Sequence, residues 1–231
     1  NRVRSQIVAA LNWAVEREIL PGNPAAGIKR FKGIEQPRTR ILTDAELRAI
    51  WLAADAVGQP GGTLVKMLIL TGQRRDEVRG LPWSEIREEG ALWRLPGARN
   101  KSKRDHQVPL SAAVRELLAS IDRNGKFVFS VDGKKPYAGQ KRLKAIVDRR
   151  SGVADWTFHD IRRTVRSRMT EMGTPREVAQ RVLNHAKPGL DRHYDQADYR
   201  DAMAQALEAW ARRVMRVVEN ESNVVELARP A

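Results

Sequence analysis

The chain has 231 residues, with 42 Lys and Arg against 28 Asp and Glu, a formal net charge of +14 and no cysteine. Without cysteine there is no disulfide framework, no Cys-ligated zinc or iron–sulfur site and no thiol nucleophile, and no apolar run approaches the ~18 residues of a membrane span. The basic surplus points to a polyanionic partner, because surface Lys and Arg neutralise phosphates and release their counterions. Hydrophobic residues at 42% suffice for a folded core, and the length suits one large domain or one domain plus a part of another. The chain opens on Asn1 without a leader pattern, and it reads as a piece of a longer cytoplasmic protein.

Residues 3–19 set Val3, Ile7, Leu11, Val15 and Ile19 at four-residue steps, one apolar face of a helix. Leu20-Pro21-Gly22-Asn23-Pro24 stops it, and the basic, aperiodic stretch 25–40 reads as a linker. A lone helix of this length is marginal in water, so it is expected to pack on an upstream domain. The main domain is expected from Ile41. Thr43-Asp44-Ala45-Glu46 is a capping box opening a helix to about residue 57. Gly58-Gln59-Pro60-Gly61-Gly62 breaks the chain, and a second, apolar helix covers 64–70 before Thr71-Gly72. Around 91–110 two short strands, "ALWRLP" and "HQVPL", flank a basic turn, and "KFVFS" at 126–130 is expected to add a third.

Helices then return. Ser111 is expected to cap 112–121, and a further helix spans 139–150. Thr157-Phe158-His159-Asp160 is a second capping-box pattern, opening a helix to about residue 172. Thr174-Pro175-Arg176-Glu177 is a third, with Pro in the first turn and an end near Asn184. Met203, Leu207, Trp210, Val214 and Val217 mark a long helix over 198–219. The expected fold is mainly α with a small antiparallel sheet, an α+β chain without internal repeats.

The chemistry-bearing residues are few. There is no Walker-type phosphate loop, dinucleotide fingerprint, zincin box or nucleophile elbow. Four histidines (106, 159, 185, 193) and three tyrosines (137, 194, 199) remain. His159-Asp160-Ile161-Arg162 sets an imidazole and a guanidinium on one face of a helix start, where the dipole favours an anion. Gly72 allows a turn that aims Arg74 off a rigid helix, and Glu77 is spaced to hold that arginine. Lys101 and Lys103 sit in the turn between the expected strands, where a lysine can act as a proton donor. His185 follows a helix end, and Tyr194 comes nine residues later. Taken singly, each cluster reads as ordinary polar surface.

Taken in order, "LILTGQRRDEVRGLPWSEI" (68–86), "NKSKRDHQVPLS" (100–111), "FHDIRRT" (158–164), "VLNHAKPGLDRHYD" (182–195) and "DYRDAMAQALEAW" (198–210) resemble the catalytic domain of the tyrosine recombinase, or phage integrase, family, over about residues 41–210. The resemblance implies that Arg74 and Arg162 are the two family arginines, His159 opens the H-x-x-R box, and His185 matches the later histidine. Lys101 matches the hairpin lysine, with Lys103 as its rival. Tyr194 matches the nucleophile, with Tyr199 and Tyr137 as weaker candidates, and Glu77 the acidic support of Arg74. One departure is Asn184, where the family usually has Gly; asparagine tolerates left-handed backbone.

The implied activity is site-specific recombination of double-stranded DNA at attachment sites through a covalent 3′-phosphotyrosyl link, needing no metal, cofactor or ATP. Arginines and histidine would bind the phosphate, His159 would serve as base or orienting group, and Lys101 would protonate the leaving 5′ oxygen. The implied partners are DNA, other protomers in a tetrameric synapse and DNA-bending accessory proteins. Residues 1–24 would be the last helix of a core DNA-binding domain. Residues 211–231 would be a tail docking on a neighbouring protomer. A type IB topoisomerase shares the tyrosine chemistry and is the alternative activity. A DNA-binding module without catalysis and a metal-dependent nuclease are further alternatives.

Overall fold

A computed structural model describes residues 1–31, 38–185 and 196–219, without the side chains of 196–198. The chain divides into two compact units, Asn1–Arg38 and Thr39–Ala231. In the first, helix α1 (Arg2–Glu16) buries none of its residues and leaves Val3, Ile7 and Trp13 exposed. Asn23 turns the following chain back, donating from Nδ2 to the Val8 carbonyl at 3.2 Å and accepting from the Ala25 amide at 2.8 Å.

The second unit is built around one helix that is apolar on nearly every side. Such a helix is stable only when enclosed. Helix α3 (Gly61–Thr71) buries every residue except Lys66, and it packs against α2 (Asp44–Val57), α5 (Ala112–Ala119), α6 (Gln140–Ser151), α7 (Phe158–Glu171) and α9 (Gln196–Glu219). The Thr43 capping box forms as expected: Thr43 accepts from the Glu46 amide, and the Glu46 carboxylate from the Thr43 amide. Trp210 of α9 is fully buried and donates from Nε1 to the Ile69 carbonyl at 2.8 Å, fixing α9 across α3. No described helix is long and apolar enough to cross a membrane.

Helix α3 starts three residues before the expected 64, so two of the glycines read as a breaker are helical. The cause is packing between helices: a Cβ on Gly62 would stand 1.9 Å from the Ala54 carbonyl oxygen, so α2 and α3 approach to backbone contact there. The expected third strand at 126–130 does not form. The sheet is β1 (Ile86–Arg87), β2 (Leu92–Leu95) and β3 (His106–Pro109), antiparallel in that order, with Ile86 opposite Trp93 and Leu95 opposite His106. The 126–130 segment bends around a single bridge, from Phe127 to Pro82, and is held by separate bonds, including the Trp83 amide to the Lys126 carbonyl at 3.0 Å and the Val128 amide to the Leu81 carbonyl at 2.9 Å.

Two caps also differ from expectation. The Thr174 box does not form, because helix α8 (Arg176–Val182) begins one residue later with Pro175 at its N-cap. The Ser111 hydroxyl caps nothing; instead Glu208 of α9 accepts from the Ala112 amide at 3.0 Å. Residue 211 marks no break, since α9 runs to Glu219 with Ala211 and Val214 buried in the core.

Candidate active site

Three chain reversals bring the site together. The first is the end of α3. Gly72 has φ 62°, and a Cβ there would meet Leu183 and Val165 at 2.9 Å, so both its conformation and its surroundings require glycine. The next two residues are Gln73 and Arg74, and α4 (Arg75–Arg79) follows. The Glu77 carboxylate is buried and holds Arg74 twice, accepting from its Nη1 at 3.0 Å and its amide at 3.2 Å.

The second is the start of α7. The Thr157 box forms as the sequence suggests, with Asp160 as its acid: the Thr157 amide donates to Asp160 at 2.8 Å, and Thr157 Oγ1 accepts from the Asp160 amide at 3.3 Å. This fixes the first turn and sets His159 and Arg162 on one face. Arg162 is only 2% exposed. Its Nη1 donates to the Gly72 carbonyl at 2.8 Å, and its Nη2 donates to the Leu183 carbonyl and to His185 Nε2, the latter at 3.0 Å. Gly72 and Leu183 are the C-caps of α3 and α8, so two helix C-termini turn their negative ends on one buried cation. A guanidinium has five N–H groups. Among the described residues Nε–H and one Nη1–H of Arg162 keep no protein acceptor.

The third is the end of α8. The Val182 carbonyl accepts from Gln73 Nε2 at 2.7 Å and lies 3.2 Å from His106 Nε2. Burial, reinforced by the Arg162 and Arg74 charges, holds His106 down at about 4. It is therefore neutral at pH 7, and donation to a carbonyl puts its proton on Nε2. His185 is also held at about 4, first by lost hydration and then by the charges of Arg162, Arg74 and Arg166. Arginine only donates, so His185 Nε2 accepts and its proton sits on Nδ1. The His159 imidazole is lowered as well, by desolvation first and then by Arg163 and Arg162.

A cleft of about 420 Å³ is lined by residues 73–77 after α3, by Phe158, His159 and Arg162 of α7, and by Arg99 and Lys101 of the turn between β2 and β3. Five cations face two carboxylates, so the cleft favours an anion. The two arginines, His159, Lys101 and Glu77 share this space. His185 joins it through Arg162. Lys103 does not line the cleft; its φ is 58° and its carbonyl packs against Gly97. Tyr194 lies outside the described residues. Tyr199 is half-buried on α9, with the Arg181 guanidinium 3.8 Å from its ring centre; neither it nor Tyr137 lines the cleft.

Sequence reasoning passed over Gln73, Arg99 and His106. Arg99 lines the cleft but is already matched, with Nε and Nη2 each 2.6 Å from a Glu85 oxygen. His106 had a signal in the alternation of "HQVP", which turns His106 and Val108 to the same buried side.

Comparison with known proteins decides the family. Residues 40–201 match the model of the phage integrase family. The chain belongs to that family. Prophage integrase IntZ of Escherichia coli K12 is 28% identical over 233 residues, covering 97% of this chain and 58% of that protein. This chain spans about half the length of the named integrases it matches, the phage P22 integrase of Salmonella being covered to 48%. Integrase structures have the same fold. A lambda integrase dimer bound to a COC′ core site aligns with TM-score 0.63 at 19% identity, over 84% of this chain and 73% of that one. A lambda integrase tetramer bound to a Holliday junction aligns with TM-score 0.62 at 20% identity, over 84% and 59%.

Proposed function

We propose that this chain carries the catalytic domain of a site-specific DNA recombinase that cleaves and rejoins duplex DNA through a covalent 3′-phosphotyrosyl intermediate, without metal or ATP. The observation that carries the reading is the convergence of Arg74, Arg162, His159 and Lys101 on one anion-favouring cleft. A scissile phosphodiester seated there meets the unpaired N–H groups of Arg162 and the Arg74 guanidinium. As the nucleophile attacks, charge grows on the non-bridging oxygens, and donors already in place stabilise it; removing one such donor costs about 10²–10³ in rate. His185 stays neutral at pH 7 and holds Arg162.

A tyrosine hydroxyl, with pKa of about 10, needs activation to attack at neutral pH. We assign Tyr194 as the nucleophile on the family motif and neutral His159 as the base or orienting group. Lys101 protonates the leaving 5′ oxygen, which restores a hydroxyl end for rejoining. The phosphotyrosyl bond conserves the energy of the broken phosphodiester, so no ATP is consumed. The partners are duplex DNA at attachment sites and further protomers in a tetramer, with accessory DNA-bending proteins assisting. Residues 1–24 are the last helix of a core DNA-binding domain, and the protein works in the cytoplasm.

The test is covalent trapping. Nicked duplex carrying the attachment site is expected to give a denaturation-resistant protein–DNA adduct in EDTA and without ATP, and Tyr194→Phe to give none. An adduct formed equally by Tyr194→Phe refutes the assignment. Plasmid relaxation without exchange between two sites would turn the reading to a topoisomerase.

A further inference from the structure

Position 184 is asparagine, and its side chain makes a contact that the glycine implied there by the family resemblance could not. The φ of Asn184 is 51°, in the left-handed region that asparagine enters with little strain. Asn184 Nδ2 donates to Ser102 Oγ at 3.0 Å, across 82 positions of sequence. The Ser102 hydroxyl has one proton, which goes to Asn100 Oδ1 at 2.6 Å; Asn184 Oδ1 lies farther off, at 3.3 Å. Asn100 is itself buried and closes the turn between β2 and β3, donating to the carbonyls of Pro96 at 3.1 Å and Arg104 at 2.7 Å.

These bonds run without a gap from the residue before His185, through Ser102, into the turn that carries Lys101. Lys101 is exposed and lines the cleft, and among the described residues no hydrogen bond or ion pair holds its ammonium. Where Lys101 reaches is therefore set by where the turn sits. The turn is joined to the His185 segment through Asn184.

We propose that Asn184 is a positioning residue: its bond to Ser102 holds the Lys101 turn over the cleft, so that the proton donor meets the phosphate bound by Arg162 and Arg74. This rests on the reading of Lys101 as the acid. Without the bond the turn samples positions in which Lys101 misses the leaving oxygen, while phosphate binding and nucleophilic attack are unaffected.

The experiment uses Asn184→Gly, which keeps the left-handed backbone and removes only the amide. The rate of covalent adduct formation is measured on a nicked attachment-site duplex with its natural phosphodiester, and on the same duplex with sulfur replacing the 5′ bridging oxygen. A thiol has a pKa of about 8.5, so the thiolate leaves without a proton donor. Asn184→Gly is expected to slow the oxygen substrate about tenfold, the scale of one lost hydrogen bond. On the sulfur substrate it is expected to stay within about twofold of the unsubstituted chain. Ser102→Ala is expected to behave alike, and the double variant to be no slower than either single one. Lys101→Ala is the control. If sulfur does not rescue it, the acid assignment fails and this proposal falls with it. If sulfur does rescue it, the Asn184 proposal alone is overturned by an Asn184→Gly or Ser102→Ala chain unimpaired on oxygen, or by one equally slow on both substrates.

Discussion

Inorganic sulfate is expected to stabilise this protein well beyond its general effect on proteins, and Arg162 to be the reason. Burial, and then the neighbouring charge of Arg74, lowers the Arg162 pKa from the ordinary guanidinium range to about 9. A base whose pKa is lower folded than unfolded holds its proton less tightly in the folded state. The resulting penalty disappears only where the unfolded guanidinium also loses its proton, and it is carried in full below pH 9, including at pH 7. At about 1.4 kcal/mol per pH unit, it amounts to roughly 5 kcal/mol against folding. An anion on the unpaired N–H groups of Arg162 and beside Arg74 returns part of this. Sulfate presents tetrahedral oxygens and charge like those of a phosphate, and at a hundred times its dissociation constant it would add about 2.7 kcal/mol. For a chain of this length that raises Tm by about 5–11 °C. The assay is thermal unfolding at pH 7, titrating sulfate against chloride at matched ionic strength, for the unsubstituted chain and Arg162→Gln. Sulfate also stabilises proteins by exclusion from their surface, but that part is common to both. A saturable excess in the unsubstituted chain alone is expected; equal shifts in the two proteins would refute the link between the buried charge and anion binding.

Two further outcomes follow from packing and titration. His106 is held at about 4 by burial, so as pH falls the unfolded ring takes a proton first. Its contribution of about 3 kcal/mol is complete above pH 6.5 and lost between 6.5 and 4; His106→Asn is expected to flatten that part of the Tm–pH profile, and an unchanged profile would count against it. Gly62→Ala gains about 1 kcal/mol of helix propensity. It also sets a methyl 1.9 Å from the Ala54 carbonyl oxygen, a clash with backbone that forces α2 and α3 apart. A net loss of about 1–2 kcal/mol, or roughly 2–8 °C in Tm, is expected, and a variant melting at or above the parent would show that the helices separate at no cost.

Local signals in this sequence were readable where the interaction itself is local. The Thr43 and Thr157 boxes each close within four residues, and both form. The apolar run of α3 is legible because a helix without a polar face has to be enclosed. What escaped reading depends on distant partners. Whether Gly61 and Gly62 break or join a helix is decided by Ala54 on the facing helix. The 126–130 segment has strand propensity, but its neighbours at 81–83 offer single bonds instead of a ladder, and the two-residue strand β1 takes the place beside β2. Gln73 and His106 carry no motif; they matter through the Val182 carbonyl, 109 and 76 positions away. Arg74, His159 and Arg162 are legible only as members of the ordered family pattern, since no local sequence signal marks any one of them.

The arrangement around Arg162 also determines how mutational data on this site have to be interpreted. One guanidinium joins the end of α3, the start of α7 and the end of α8 through Gly72, Leu183 and His185. On the proposed function, the donors that would face a phosphate are held in position before it arrives, which is what makes electrostatic stabilisation effective in a transition state. The same bonds are structural, so removing Arg162 loosens three segments as well as taking away the proposed phosphate ligand. Loss of activity in an Arg162 variant cannot by itself separate the two effects. Anion-dependent stability can, because a purely structural arginine would lower Tm by the same amount with and without sulfate, whereas a phosphate-binding one makes the difference grow with sulfate concentration until the site is full.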